Sequence, residues 1–189
     1  KGNPQKVDIL SMDVEEEQSV ESCFNSLLQK KIHIDLVYNN AGIIDWNNLN
    51  EVSASSTEKI YKVNLIGALL VTRHALPCLK NSADPIIVNL SSRLGSIKIR
   101  GETQLGGAIA YQCSKAALNM LTKQSAIDLQ KHNIRVISQS PGWVKTEMGG
   151  KDAKYEIKDA VTKMIQSLLK MKSNQTGIFI GEDGDLIPW

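Results

Sequence analysis

Histidine, cysteine and aromatic residues are scarce in this chain of 189 residues, which holds three His, three Cys, three Trp, four Tyr and two Phe. Cys23, Cys78 and Cys113 are odd in number and lack metal-site spacing, so they read as reduced thiols and imply a cytoplasmic location. His33, His74 and His132 are scattered, which argues against a metal centre and against a Ser-His-Asp site. No apolar run reaches the roughly 18–20 residues of a membrane span, and no basic-then-apolar signal sequence opens the chain. No run of like charges marks a sticky tail, and a net charge of +2 is too small to argue for nucleic acid or an anionic membrane as partner. No two glycines stand two positions apart, so no Gly-x-Gly turn follows any strand. The first residue is Lys1 rather than Met, which reads as a processed or trimmed chain, or a piece of something longer.

What is present is the composition of an ordinary globular protein, 42% hydrophobic and 22% charged, at a length that supports one domain over residues 1–189 with a substantial core. Short apolar runs alternate with helix-length patterns. Strands are expected at 7–14, 34–42, 85–92, 134–144 and 176–181. Helices are expected at 15–30, 55–80, from about 111 to 131, and near 155–171. Acidic residues open the first helix, where the macrodipole favours them, and a Ser/Thr–Glu capping pattern opens the second. Strands alternating with helices imply a parallel sheet covered on both faces, a doubly wound α/β domain. In such sheets ligands sit beyond the carboxyl ends of the strands. Asp13, Asn39–Gly42, Ser91–Ser92 and Pro141–Thr146 each fall just past an apolar run, where that rule places a site.

Tyr111 and Lys115, in "AYQCSKAALN", stand four positions apart and so one turn apart on one helical face. A phenol titrates near 10 in water. An ammonium beside it would lower that value and make the tyrosine a proton donor and acceptor for carbonyl–alcohol chemistry. The plain alternative is an exposed, coincidental pair. Ser92 ends the preceding strand and can reach the same crevice, or it caps a turn. Asn64 lies inside the long helix, where asparagine competes for backbone hydrogen bonds; it either holds a water near Lys115 or is merely exposed. "NNAG" (39–42) offers amides and a glycine for close approach of backbone to a ligand, or it is only a loop. In "SPGWVKTEM" (140–148) the Pro141–Gly142 turn is followed by the Thr146 hydroxyl, with Trp143 and Met148 as apolar walls or core filling. Asp13 can meet an adenine or cap the helix after it.

The order Asp13, "NNAG", Asn64, Ser92, "YQCSK" and "PGWVKT" resembles the short-chain dehydrogenase/reductase family, and the resemblance runs over essentially the whole chain. "VNLSSRLGSI", "SPGWVKTEMGG" and "GDLIPW" look more particularly like its carbonyl reductases of the Sniffer and C-factor-like branch. The resemblance implies a Rossmann-type sheet and an oxidoreductase interconverting a carbonyl and an alcohol. The cofactor would be NADP(H) or NAD(H), with NADP(H) ahead. Tyr111 would be general acid, Lys115 would lower its pKa and hold the nicotinamide ribose, Ser92 would polarise the substrate carbonyl, and Asn64 would place a relay water. Asp13 and Val14 would border the adenine, Asn39, Asn40, Ala41 and Gly42 the adenosine ribose, and Pro141, Gly142, Val144 and Thr146 the nicotinamide end. Trp46, Trp143 and Met148 would line the pocket of a small, partly apolar carbonyl substrate. The oligomeric state stays open, with the two long helices around Asn64 and after Tyr111 able to pair across a two-fold axis in a homodimer.

The sequence departs from the family at the front. The family's first strand, glycine-rich turn, helix and second strand, which precede the strand holding Asp13, are missing, and with them the residues that choose between NAD and NADP. In a sheet of order 3-2-1-4-5-6, "VDILSMDV" would be strand 3 without its neighbour, and "IDLVYNN" would present an open edge. A fragment of a longer reductase, a gap filled by a partner chain, and a truncated product that binds no cofactor all follow. The alternative to an enzyme is therefore an inactive chain of the same fold that serves as a binding or oligomer-interaction module. The "GETQLGG" loop (101–107) would shape the substrate mouth.

Overall fold

The computed structural model describes residues 7–101 and 106–189. Four strands, β1 (Leu36–Asn39), β2 (Ile86–Leu90), β3 (Arg135–Gln139) and β4 (Phe179–Ile180), pair in parallel in chain order. Their inner positions are β-branched and buried on both faces: Ile87, Val88, Val136 and Ile137 have no exposed surface. That is the signature of a strand covered by helices above and below. Helices α1 (Glu17–Gln29), α2 (Ala54–Tyr61), α3 (Ala68–Leu79), α4 (Ile109–Asp128) and α5 (Ile157–Leu169) complete the fold. On one face Val20 and Phe24 of α1, Val71 and Leu79 of α3, and Ala126 of α4 pack on Ile87 and Val136. On the other, Leu168 and Met171 at the end of α5 cover Val88, Ile137 and Ile180. The domain is doubly wound, as the alternation of elements requires.

The segment 7–14 is not a strand. Residues 7–13 carry no regular structure, residues 14 and 15 form a turn, and Val7 and Ile9 are 79% and 92% exposed. The cause is the one visible in the sequence: β1 pairs only with β2 among the described residues, so no ladder exists for this segment to join. The strands expected at 34–42, 134–144 and 176–181 are shorter, because their polar and Pro-Gly ends leave the sheet as loops. The helix expected from 55 is capped by Ser53, whose side chain accepts from Ser56 N at 3.1 Å. The same helix is interrupted by a π turn over Lys62–Gly67 before continuing as α3. Such single π turns recur at functional sites, and Asn64 sits inside this one. Residues 102–105 of the "GETQLGG" loop lie outside the described residues.

A polar rung crosses the sheet just before the strands end. Register aligns Asn39, Asn89 and Ser138 side by side. Asn39 Nδ2 donates to Asn89 Oδ1 at 2.7 Å, Asn89 Nδ2 donates to Thr122 Oγ1 of α4 at 2.8 Å, and the Thr122 and Ser138 hydroxyls share a bond of 2.8 Å. All four residues are buried, so each bond matters: an orphaned polar group there costs about 1–3 kcal/mol. The rung ties α4 to three strands directly beneath the loops that carry the candidate site.

Candidate active site

Helix α4 enters through two consecutive left-handed residues, Gly107 at φ +75° and Ala108 at φ +47°. Ala108 is a non-glycine residue in a conformation that costs it energy. The turn is held from outside: Ala108 N donates to the Trp46 carbonyl at 3.2 Å, and Gln112 Nε2 donates to the Gly107 carbonyl at 2.6 Å. Gly107 must be glycine on two counts, since a Cβ there would lie 2.9 Å from the Trp46 oxygen. This entry aims the first turn of α4, and with it Tyr111, at the strand ends.

Tyr111, 7% exposed, lies beside Ser92, whose side chain acts to lower the phenol pKa. Ser92 follows β2 and opens a 3₁₀ turn, Arg93–Gly95, its Oγ accepting from Leu94 N at 3.2 Å. That turn is pressed onto α4. A Cβ on Gly95 would lie 2.7 Å from the Lys115 Cβ, closer than real side chains approach. Asn119 of α4 brackets Ser92 from both sides, accepting from Ser91 Oγ at 2.7 Å and donating to the Gly95 carbonyl at 3.2 Å. Lys115, one turn after Tyr111 and 4% exposed, donates from Nζ to the Leu90 carbonyl at 2.6 Å. Among the described residues no carboxylate pairs with it, and burial lowers its pKa to about 8.

One expectation is corrected. Burial raises the Tyr111 phenol above its ordinary value, and Ser92 only partly opposes that. The Lys115 ammonium lies 5.6 Å from the Tyr111 ring centroid and is not what sets the phenol. At neutral pH the hydroxyl therefore keeps its proton and is a donor.

Asn64 is brought to the same place, but its side chain is engaged. Nδ2 donates to the Ile43 carbonyl at 2.9 Å and to Ser114 Oγ at 3.0 Å, while Oδ1 accepts from Ile43 N at 2.8 Å. It clasps the loop after β1 to α4. Gly42 ends that loop segment with an opening: a Cβ would sit 3.4 Å from Asn64 Oδ1 and 3.5 Å from Lys115 Nζ. The bare glycine is what leaves the ammonium approachable from that side.

The other expected residues divide. Val14, Asn39, Asn40 and Ala41 line one cavity of about 140 Å³ together with Met12 and Gly67. Within it the Asn39 side chain faces away into the sheet rung, so this residue offers a ligand backbone rather than amide. Asp13 is exposed and its Oδ1 accepts from Glu15 N at 2.9 Å, shaping the turn into α1. Pro141 and Gly142 leave β3 beside Ser92, because Ser91 N donates to the Gln139 carbonyl at 2.8 Å. Val144 bridges to Tyr155. The Thr146 hydroxyl is exposed, accepting from Gly149 N at 3.0 Å, and Trp143 Nε1 donates to the Gly149 carbonyl at 2.7 Å. Trp46 and Trp143 are each 56% exposed. With the half-buried Met148, they line neither this cavity nor a larger one of about 650 Å³ between Ile43–Asp45 and the start of α2. Sequence reasoning missed Asn119, Gly95, Ile43 and the Leu90 carbonyl. The first two lie on a helical face and in a turn with no distinguishing pattern, and the others act through backbone, which leaves no residue-type signal.

Among the described residues no helix is long and apolar enough to cross a membrane, no group of three or more metal-ligating side chains is assembled, and the three cysteines are free. Residues 1–156 match the family described as short chain dehydrogenase. The chain is 34% identical over 157 residues to the C-signal of Myxococcus xanthus, covering 82% of this chain and 93% of that protein. It spans about half the length of several other curated relatives it matches. Among solved structures it superposes with a TM-score of 0.89 on an NADPH-bound carbonyl reductase from chicken fatty liver, 32% identical, covering 94% of this chain and 75% of that one. The carbonyl reductase Sniffer of D. melanogaster gives a TM-score of 0.89 at 29% identity, covering 95% of this chain and 77% of that one.

Proposed function

Because this chain belongs to the short-chain dehydrogenase family, we propose that its site interconverts a small, partly apolar carbonyl compound and the corresponding alcohol with NADP(H), or with NAD(H), as cofactor. The observation that carries the reading is the buried Tyr111 beside Ser92, one helical turn before a buried Lys115 that meets no carboxylate among the described residues. The residues fit a nicotinamide ribose: the buried Lys115 ammonium spends one donor on the Leu90 carbonyl and has others for hydroxyl partners, and Gly42 leaves it a path. The cavity lined by Val14, Asn40 and Ala41 fits an apolar edge of the adenosine end. For the pyrophosphate the sequence provides no Gly-x-Gly turn at a helix N-terminus. NADP(H) is preferred because the chicken reductase of matching fold carries NADPH.

When bound, the nicotinamide supplies the hydride to the carbonyl carbon. Tyr111 donates its proton to the carbonyl oxygen, which leaves as the alcohol, and in the reverse direction the phenolate takes that proton back. Ser92 donates a hydrogen bond to the same oxygen and polarises it. Lys115 binds ribose hydroxyls through Nζ and fixes the distance to Tyr111. Asn64 holds Gly42 and Ile43 against Lys115, and a water on this side would relay from solvent the proton that replaces the one Tyr111 gives to the alcohol. A panel of aldehydes and ketones assayed with NADPH and NADH tests the reading, with Tyr111→Phe as the control expected to lose activity.

A second reading is that the chain serves as a binding or oligomer-interaction module on the same scaffold, and the exposed apolar Leu69, Met120 and Ile127 favour it. Titration with NADPH, followed through the fluorescence of Trp46, Trp143 and Trp189, separates the two. Submicromolar binding counts against the module, and no binding up to millimolar cofactor counts against the reductase. Under either reading a homodimer through α3 and α4 is supported by Leu69, Met120 and Ile127, exposed by 43%, 68% and 58%.

A further inference from the structure

Arg93 follows Ser92 directly, yet its side chain turns away from Tyr111 to meet two carboxylates far along the sequence. Its Nη2 donates to Asp185 Oδ2 at 3.0 Å and Oδ1 at 3.1 Å, and to Glu182 Oε2 at 3.3 Å. Asp185 is half exposed, but Glu182 is only 6% exposed, so its charge is compensated inside the protein rather than by water. Lys163, bonded to Asp183 at 2.6 Å, adds positive charge nearby.

Two glycines make room for this cluster. A Cβ on Gly181 would lie 2.4 Å from Arg93 Nη2, and one on Gly142 would lie 2.9 Å from the Glu182 carboxylate. Gly142 belongs to the Pro141–Gly142 turn and holds φ +75°. Glu182 thus touches the turn that leaves β3 on one side and the Ser92 turn on the other. The surrounding segment is stiff: Gly181 N donates to the Asp185 carbonyl and Ile187 N to the Phe179 carbonyl, both at 2.9 Å. It also wraps the residues after Ser92. Ser96 Oγ donates to the Pro188 carbonyl at 2.6 Å, Lys98 N to the Trp189 carbonyl at 3.0 Å, and Trp189 stacks on Phe179 at 5.7 Å.

We propose that Arg93 is a positioning residue, which through Glu182 and Asp185 locks the Ser92 turn to the Pro141–Gly142 turn and so fixes the spacing between the Ser92–Tyr111 hydroxyl pair and the nicotinamide end of the cofactor. The inference rests on the reductase reading for its chemistry, but the lock itself is a property of the unliganded protein. Ser92 must hold the carbonyl oxygen in one place while the reacting carbon faces the hydride. A shift of an ångström in either turn costs rate without costing cofactor affinity. All three bonds leave one nitrogen, Nη2, at the end of a long side chain, so a lysine ammonium can take over part of the contact.

The test uses Arg93→Met, Arg93→Lys and Glu182→Gln, the last preserving shape should the first fail to fold. Two readouts are taken: kcat and KM for carbonyl reduction, and hydrogen exchange of the Leu94 amide, which donates to Ser92 Oγ, against the Val88 amide in β2. The lock predicts that Arg93→Met and Glu182→Gln lower kcat about tenfold or more, leave the cofactor KM within twofold, and speed Leu94 exchange at least tenfold with Val88 unchanged. Arg93→Lys restores part of both effects. A kcat within twofold of wild type, Leu94 exchange unchanged in folded variants, or KM rising in step with any fall in kcat would each overturn it. If the wild-type protein reduces no carbonyl under any cofactor, the reductase reading fails by that result, and Leu94 exchange alone decides whether Arg93 holds the Ser92 turn.

Discussion

Lys115 Nζ donates a 2.6 Å hydrogen bond to the carbonyl of Leu90, two residues before Ser92. One side chain of α4 therefore reaches back to the strand that delivers the serine, while its neighbour Tyr111 lies beside that serine. The two halves of the site are joined below the surface, independently of any ligand.

The joint has a cost in stability. Burial moves the Lys115 ammonium from an ordinary 10.5 to about 8, so below pH 8 the folded state holds a charge it disfavours. The unfolded chain stays protonated up to 10.5. Between those values the unfolded state binds more protons, and stability rises with pH. The difference corresponds to about 3 kcal/mol at neutral pH, reduced by the lost Leu90 bond in any variant. Lys115→Met is expected to stabilise the protein by about 1–2 kcal/mol in urea unfolding at pH 7 while losing activity. The gain should shrink toward pH 10.

Under the reductase reading the same ionisation would control cofactor binding. Protonated Lys115 would be the stronger donor to ribose hydroxyls, and its fraction falls about tenfold from pH 7 to 9 for a pKa near 8. NADPH affinity is expected to weaken by that factor over this range, measured by fluorescence titration. Lys115→Met should bind weakly and show no such pH dependence.

Gly95→Ala probes how tightly the Ser92 turn sits on α4. A Cβ 2.7 Å from the Lys115 Cβ and 2.8 Å from its carbonyl carbon forces the turn outward, at about 1–3 kcal/mol. Ser92 moves away from Tyr111 with it. A urea midpoint shifted by that amount and a kcat reduced more than about tenfold are expected.

Asn64→Ala leaves both the N–H and the carbonyl of Ile43 without the partner they now have. The expected loss is about 2–4 kcal/mol, larger than for an exposed helix asparagine. Hydrogen exchange at the Ile43 amide should rise sharply while β2 stays protected.

The parts of the site visible in the sequence were those carried by side-chain type at fixed local spacing. Tyr111, Lys115 and Ser92 follow from a helical repeat and a strand end, and the alternation of apolar runs is enough for the doubly wound sheet. What stayed hidden was set by distance or by backbone. Residues 7–14 have the composition of a strand, but a strand exists only against a partner, and none adjoins β1 among the described residues. Asn39 reads as a ligand-facing loop amide until register aligns it with Asn89. Asn64 stands out as a misfit in a helix, yet its partners are backbone groups of Ile43 and the turn around it is π. Arg93 and Glu182 are separated by 89 positions, and no local pattern joins them. The four-residue spacing reveals the ammonium beside the Tyr111 phenol but not the burial that raises its pKa.

Under the reductase reading Tyr111 supplies the proton to a carbonyl oxygen. The direct measurement is the rate of NADPH- or NADH-dependent reduction across a carbonyl panel for the protein and for Tyr111→Phe, with urea midpoints confirming that both are folded. A loss of more than about 10²-fold in the phenylalanine variant, with cofactor affinity retained, is the predicted result. Equal rates in the two proteins would contradict it.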